Sequence, residues 1–246
     1  MHKTILALAL AWAASGALRA GLLELDPHAG YTTVSMGDLN HANAAIYGWY
    51  PSDHAESLSS GYVAGLDLTT SHLTRVEALK LGIRAEYLRT NPAEMKDVTL
   101  IAHQSDALDY VDQGNLASVL LGGNLSAPYL SDRLLIGLGA WAGCGYGTLD
   151  QSVTFDGNQG TNLLPSGVYT SLLLVGELEA TLRWRLSQRL ALDFSGGWRW
   201  ADAGSMRDSK GAPLYNAEQY WELNKTAPVD VDFSGATAQG GLNIAF

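Results

Sequence analysis

Asp232-Phe233-Ser234-Gly235-Ala236-Thr237-Ala238-Gln239-Gly240-Gly241-Leu242-Asn243-Ile244-Ala245-Phe246 is the stretch that decides the fold. Counted back from the end, Phe246, Ile244 and Leu242 alternate with Ala245, Asn243 and Gly241. One face is apolar and the other small or polar. A period of two belongs to a β-strand, whose successive side chains point to opposite faces. The same alternation recurs upstream. Leu174, Leu178, Ala180, Leu182 and Trp184 share one face, against Glu177, Glu179, Thr181 and Arg183. Leu79, Leu81, Ile83, Ala85 and Tyr87 oppose Lys80, Gly82, Arg84 and Glu86. Leu190, Leu192, Phe194, Trp198 and Trp200 oppose Asp193, Ser195 and Arg199. A soluble sandwich strand alternates too. Charge on the inward face of several strands, however, is costly in a dry sandwich core.

About eight segments carry this character: Leu22–Thr33, Leu58–Thr70, Arg75–Arg89, Leu116–Ala127, Arg133–Gly147, Val168–Leu186, Arg189–Asp202 and Val231–Phe246. Most match or exceed the ~9–11 residues that a tilted strand needs to cross a bilayer. Their connections alternate in length. Ser71–Thr74, Pro128–Asp132 and Ser187–Gln188 are short; Val34–Ser57, Thr90–Asn115, Thr148–Gly167 and Ala203–Asp230 are long. With strand direction alternating, the apolar-face aromatics Tyr31, Tyr62, Tyr87, Tyr146, Tyr169 and Trp200 fall near the long-loop rim. Tyr129, Trp184 and Phe246 fall near the other rim. Two rings of Tyr and Trp are what two membrane interfaces require.

These features together resemble the small, about eight-stranded β-barrels of the Gram-negative outer membrane. The resemblance covers nearly the whole chain as a pattern rather than as a motif. It implies an all-β antiparallel transmembrane barrel with short periplasmic turns, long extracellular loops, outer-membrane lipid around it and a monomeric state. It implies too that the terminal Phe246 is part of the signal read by the barrel-assembly machinery. The N-terminus agrees. His2 and Lys3 precede an apolar run, Ile5 to Ala14, and Ser15-Gly16-Ala17 offers small residues for cleavage after 17, with cleavage after 20 as the alternative. The run is too short to span a bilayer, so a removed signal peptide is expected. The barrel domain is then residues 21–246.

Composition fits. Hydrophobic residues make up 47% of 246, with 27 Gly, 11 Tyr and 7 Trp, yet mean hydropathy is only +0.01. A formal net charge of −10 argues against nucleic acid as partner and against charge-driven binding to anionic lipid. Cys144 is alone, so neither an internal disulfide nor a cysteine metal cluster is expected.

Glu24, Asp26, Asp67, Lys80, Arg84, Glu86, Glu177, Glu179, Arg183, Asp193 and Arg199 should point into the lumen, with His28, Asn124, Gln239 and Asn243. An eight-stranded bore is just wide enough for its side chains to fill. A salt-bridged plug is therefore expected, with a narrow polar path as the alternative. Gly137, Gly139, Gly143 and Gly145 line the same face as Trp141 and leave room for something opposite. Asp38 can cap a short helix over residues 38–47, with Leu39, Ala42 and Ile46 on one stripe; an inserted helix and a surface loop remain equal readings.

Three further patterns weigh less. Glu94, Asp97, Asp106, Asp109 and Asp112 make the second loop acidic, and the last three would share one side of a short helix. Without an Asp-x-Asp-x-Asp-Gly loop, a solvated face is expected rather than a calcium site. His103-Gln104-Ser105 matches the His-x-Ser pair of lipid A deacylases, but as a bare tripeptide in a loop. Gly143-Cys144-Gly145-Tyr146-Gly147 lies inside a strand and lacks the Lys and Ser/Thr of a phosphate loop. No catalytic residue, metal or cofactor is expected. Three functional classes stay open: a non-enzymatic surface or binding barrel with an unknown extracellular ligand, a narrow channel, and a lipid-modifying enzyme.

Overall fold

The computed structural model describes residues 23–49, 57–70, 78–99, 107–129, 131–156, 167–214 and 228–246. The signal-peptide residues, the start of the third segment and His103–Ser105 lie outside them. In chain order the elements are β1 (Glu24–Thr33), α1 (Gly37–Trp49), β2 (Ser60–Thr70), β3 (Leu79–Thr90), β4 (Ala93–Thr99), β5 (Ala107–Tyr129), β6 (Ser131–Asp156), β7 (Gly167–Arg185), β8 (Leu190–Trp200), β9 (Asp202–Ser205), β10 (Asp230–Asp232) and β11 (Gly235–Ala245).

Eight strands close into one antiparallel ring: β1, β2, β3, β5, β6, β7, β8 and β11, with β11 paired back onto β1. Closure leaves the ring no free edge. Its stagger can be followed pair by pair. From Glu24 the registered partners run Thr69, Gly82, Gly122, Trp141, Glu177, Arg199 and Gly235. Yet the β11 residue that faces Glu24 is Ala245, ten positions further on. With ~4.8 Å between strands and ~3.3 Å per residue, this stagger tilts the strands by about 40° and sets a backbone radius of about 8 Å. Ten tilted residues then rise about 25 Å, the height of a barrel's apolar band.

The outward face supplies that band. Leu121, Leu138, Leu172, Leu174, Leu178 and Phe194 are exposed, Leu172 and Leu174 by 81% and 80%. A continuous apolar belt of this kind is a surface that lipid covers.

Three of the long connections differ from the sequence reading. β5 and β6 run far past the barrel wall as a paired ribbon, Ala107–Asp112 against Gln151–Asp156. β4 pairs with the same part of β5 and takes the place of β3 in the ring beyond the break at Asn91–Pro92. The acidic second loop is therefore partly strand. Asp109 and Asp112 cannot share one side of a helix. Asp112 is fully buried, not solvated, and accepts a hydrogen bond from Asn43 Nδ2 of α1 at 2.9 Å. In the fourth long connection β9 and β10 form a two-stranded sheet.

The helix is present, and slightly longer than 38–47. Met36 carbonyl accepts from the Asn40 amide, so Met36 is the capping position and Asp38 sits in the first turn, where its charge favours the helix N-terminus. Met36, Leu39 and Ala42 are buried. Asn40 exchanges two 2.9 Å hydrogen bonds with the Leu58 backbone. The helix is thereby held in the long-loop mouth rather than lying as a surface loop.

Candidate functional site

The eight strands bring all eleven predicted charged side chains into one bore. Register explains it: residues of the lumen face oppose one another across every pair, as in Asp26–Asp67–Arg84 and Arg183–Asp193. An arginine of ~7 Å reach can cross much of a bore whose backbone radius is about 8 Å.

Arg84 on β3 forks onto Asp67 of β2, Nε to Oδ1 at 2.8 Å and Nη2 to Oδ2 at 2.7 Å. Its Nη1 donates to Glu177 Oε2 at 3.0 Å and Nη2 donates to Glu179 Oε1 at 2.9 Å, both on β7 three strands away. Arg199 on β8 donates to Glu177 and, through Nη2, to Glu86 Oε2 of β3 at 2.6 Å. β8 and β3 are diametrically opposed in the ring. Trp141 Nε1 donates to Glu179 at 2.9 Å, and the Arg84 guanidinium lies 4.3 Å above the Trp141 ring. His28 and Gln239 reach Glu86 at 3.1 Å and 3.2 Å. Arg84, Arg199, Glu86 and Glu177 are all buried. Charges this deep persist only when paired and hydrogen-bonded.

A second cluster lies nearer the short-turn end. Glu24 accepts from Lys80 Nζ at 2.6 Å, from Arg183 Nη1 at 2.8 Å and from Asn243 Nδ2 at 3.0 Å. Arg183 also forks onto Asp193. Asn124 donates to Thr181. Between the clusters is a cavity of about 50 Å³ bordered by Asp26, Asp67, Lys80 and Arg183, room for roughly three waters.

The glycines of β6 make space for this network. A Cβ on Gly139 would lie 2.6 Å from Glu179 Oε1, and one on Gly137 2.6 Å from Asn124 Oδ1. Gly143 admits the β5 backbone, and Gly145 admits Leu116 and Val175.

Sequence reasoning missed the other half of the lumen. Above the ions, the same inward face turns apolar: Leu88, Leu116, Leu120, Leu149, Leu173 and Val175 are buried. They join one core cluster with Met36, Leu39, Leu58, Met206, Leu214, Val231 and Phe233 from the mouth segments. The signal was available, since Leu88 stands two residues after Glu86 and Val175 two before Glu177. Tyr169 belongs to this tier. It is 4% exposed and does not sit on the lipid face with the other rim aromatics. It shares the odd-numbered, inward parity of Val175 and Glu177, which the alternation of β7 requires. Tyr31, Tyr62, Tyr87, Tyr146 and Trp200 are half-exposed on the outer face, as are Tyr129, Trp184 and Phe246. Tyr31 and Tyr62, cross-strand partners, meet edge to face with centroids 6.0 Å apart.

A closed eight-stranded wall, an apolar exterior belt and a charge-filled bore define one architecture. The fold is that of an outer-membrane β-barrel. A major outer membrane protein from Thermus thermophilus matches over 93% of this chain and 100% of its own, at 12% identity and a TM-score of 0.51. OprG of Pseudomonas aeruginosa is similar over 92% of this chain and 97% of its own (13% identity, TM-score 0.47). Neisserial surface protein A is similar over 91% and 97% (13% identity, TM-score 0.40). No family model matches the sequence, and no curated protein does.

Proposed function

We propose that this barrel is an exported, non-enzymatic protein of the outer membrane whose lumen is closed, and whose work is done by its extracellular face. The observation that carries the reading is the double barrier in the bore. Arg84 and Arg199 cross it with ion pairs to opposing strands, and an apolar tier centred on Phe233, Met36 and Leu39 caps them. A solute would have to break buried pairs and then shed its water, each costing several kcal/mol. The mouth segments are built as a folded surface: α1 is tied to β5 through Asn43–Asp112, and Ser171 Oγ donates to the Ala203 carbonyl of β9 at 3.0 Å. The half-exposed Tyr and Trp rims take the two membrane interfaces, Phe246 serves the assembly machinery, and the barrel acts as a monomer. A liposome-swelling assay tests the reading. Vesicles carrying the barrel should swell no faster in small sugars than empty vesicles; porin-like swelling would favour the channel class instead.

A further inference from the structure

Beyond the closed lumen, the periplasmic mouth is basic among the described residues. A vestibule of about 500 Å³ lies below Glu24, lined by Lys80, Arg133, Arg183, Arg185 and Arg189, with Ala191 and Ala245 leaving it roomy. That volume falls within the ~300–1,000 Å³ of small-molecule sites. Glu24 is its only carboxylate among the described residues, and Lys80 and Arg183 already occupy it. Arg133 and Arg185 stand one step beyond the Leu134–Trp184 pair, on neighbouring lumen-facing positions of β6 and β7. Like charges side by side on adjacent strands repel. Among the described residues, Arg185 Nη1 donates to the Asp132 carbonyl at a long 3.5 Å.

We propose that this vestibule is a binding site for a multivalent phosphate-type oxyanion entering from the periplasm. Arginine forks match phosphate oxygens bidentately, and an anion between Arg133 and Arg185 removes their repulsion. The anion is a soluble one rather than a lipid headgroup, because both arginines share the lumen parity while their neighbours Leu134 and Trp184 take the lipid-facing one. Entry from outside is barred by the apolar tier and by a long-loop end rich in carboxylates, Asp150, Asp202, Asp208, Asp230 and Asp232 among them. The site is a dead end, so it senses or retains the anion and does not conduct it.

Calorimetry with inorganic pyrophosphate, on the full barrel in neutral detergent, tests the proposal. Wild type should bind with one-to-one stoichiometry. Arg133→Gln and Arg185→Gln should each bind about tenfold more weakly, equivalent to about 1.4 kcal/mol apiece. Arg207→Gln, in an extracellular loop, should bind like wild type. Heat-modifiable gel mobility confirms that each variant is folded. Absence of binding by wild type, or equal binding by the Arg133→Gln/Arg185→Gln double variant, overturns the site. Displacement of pyrophosphate by monomeric short-chain phosphatidylglycerol at similar concentration overturns the soluble source.

Discussion

Replacing Arg199 by Ala should be among the most damaging single changes in the lumen. The side chain is 1% exposed and joins Glu177 on the neighbouring strand to Glu86 across the bore. Its removal leaves two buried carboxylates short of a partner. Breaking a buried ion pair costs about 3–5 kcal/mol. Glu86 keeps His28 and Gln239, and Glu177 keeps Arg84, so the lower end of the range, about 3 kcal/mol, is the expected loss. The cause can be separated from the mere loss of volume. Arg199→Met with Glu86→Gln removes one charge of each sign and leaves Glu177 on Arg84, and replacing a buried ion pair by neutral groups of similar volume is often nearly neutral. The double variant should therefore recover part of the loss. Urea unfolding in detergent, followed by tryptophan fluorescence and by heat-modifiable mobility, measures both. A single Arg199→Ala variant within about 0.5 kcal/mol of wild type, the scale of an ordinary surface substitution, would refute the reasoning. So would an Arg199→Met/Glu86→Gln double variant no more stable than the single one.

Gly139→Val should also weaken the network, because its Cβ falls 2.6 Å from Glu179 Oε1 and pushes that carboxylate off Arg84 and Trp141; a loss of about 1–3 kcal/mol, the usual cost of overpacking, should appear in the same unfolding assay. Phe246→Ala should leave the unfolding midpoint nearly unchanged, since the ring is half-exposed at the rim. Immunoblots of outer-membrane fractions should nevertheless show less assembled barrel, and unchanged levels in cells would contradict its assembly role.

The barrel was legible in the sequence because one rule, alternation at period two, governs every strand. It places Glu177, Glu179 and Arg183 inward and Leu174, Leu178 and Trp184 outward without knowledge of partners. Partner choice was not legible. That Arg199 reaches Glu86 rather than another carboxylate depends on the ten-residue stagger, which accumulates over all eight strands and is written in none of them. The apolar tier was half visible. Leu88 and Val175 carry the inward parity, but Phe233, Met206 and Leu214 reach it from connections without periodicity. The extension of β6 was readable, since Leu149, Gln151, Val153 and Phe155 alternate with Asp150, Ser152 and Thr154. For Tyr169, height along the strand points to the rim, but parity decides the face and turns the ring inward.

The closed lumen is tested most directly by recording current through the wild-type protein in planar bilayers at symmetric salt. The two tiers predict a silent membrane, or brief flickers of small amplitude as buried pairs open. Large, steady, porin-like steps would show that Arg84, Arg199 and the apolar cap do not bar the bore, and would contradict the account.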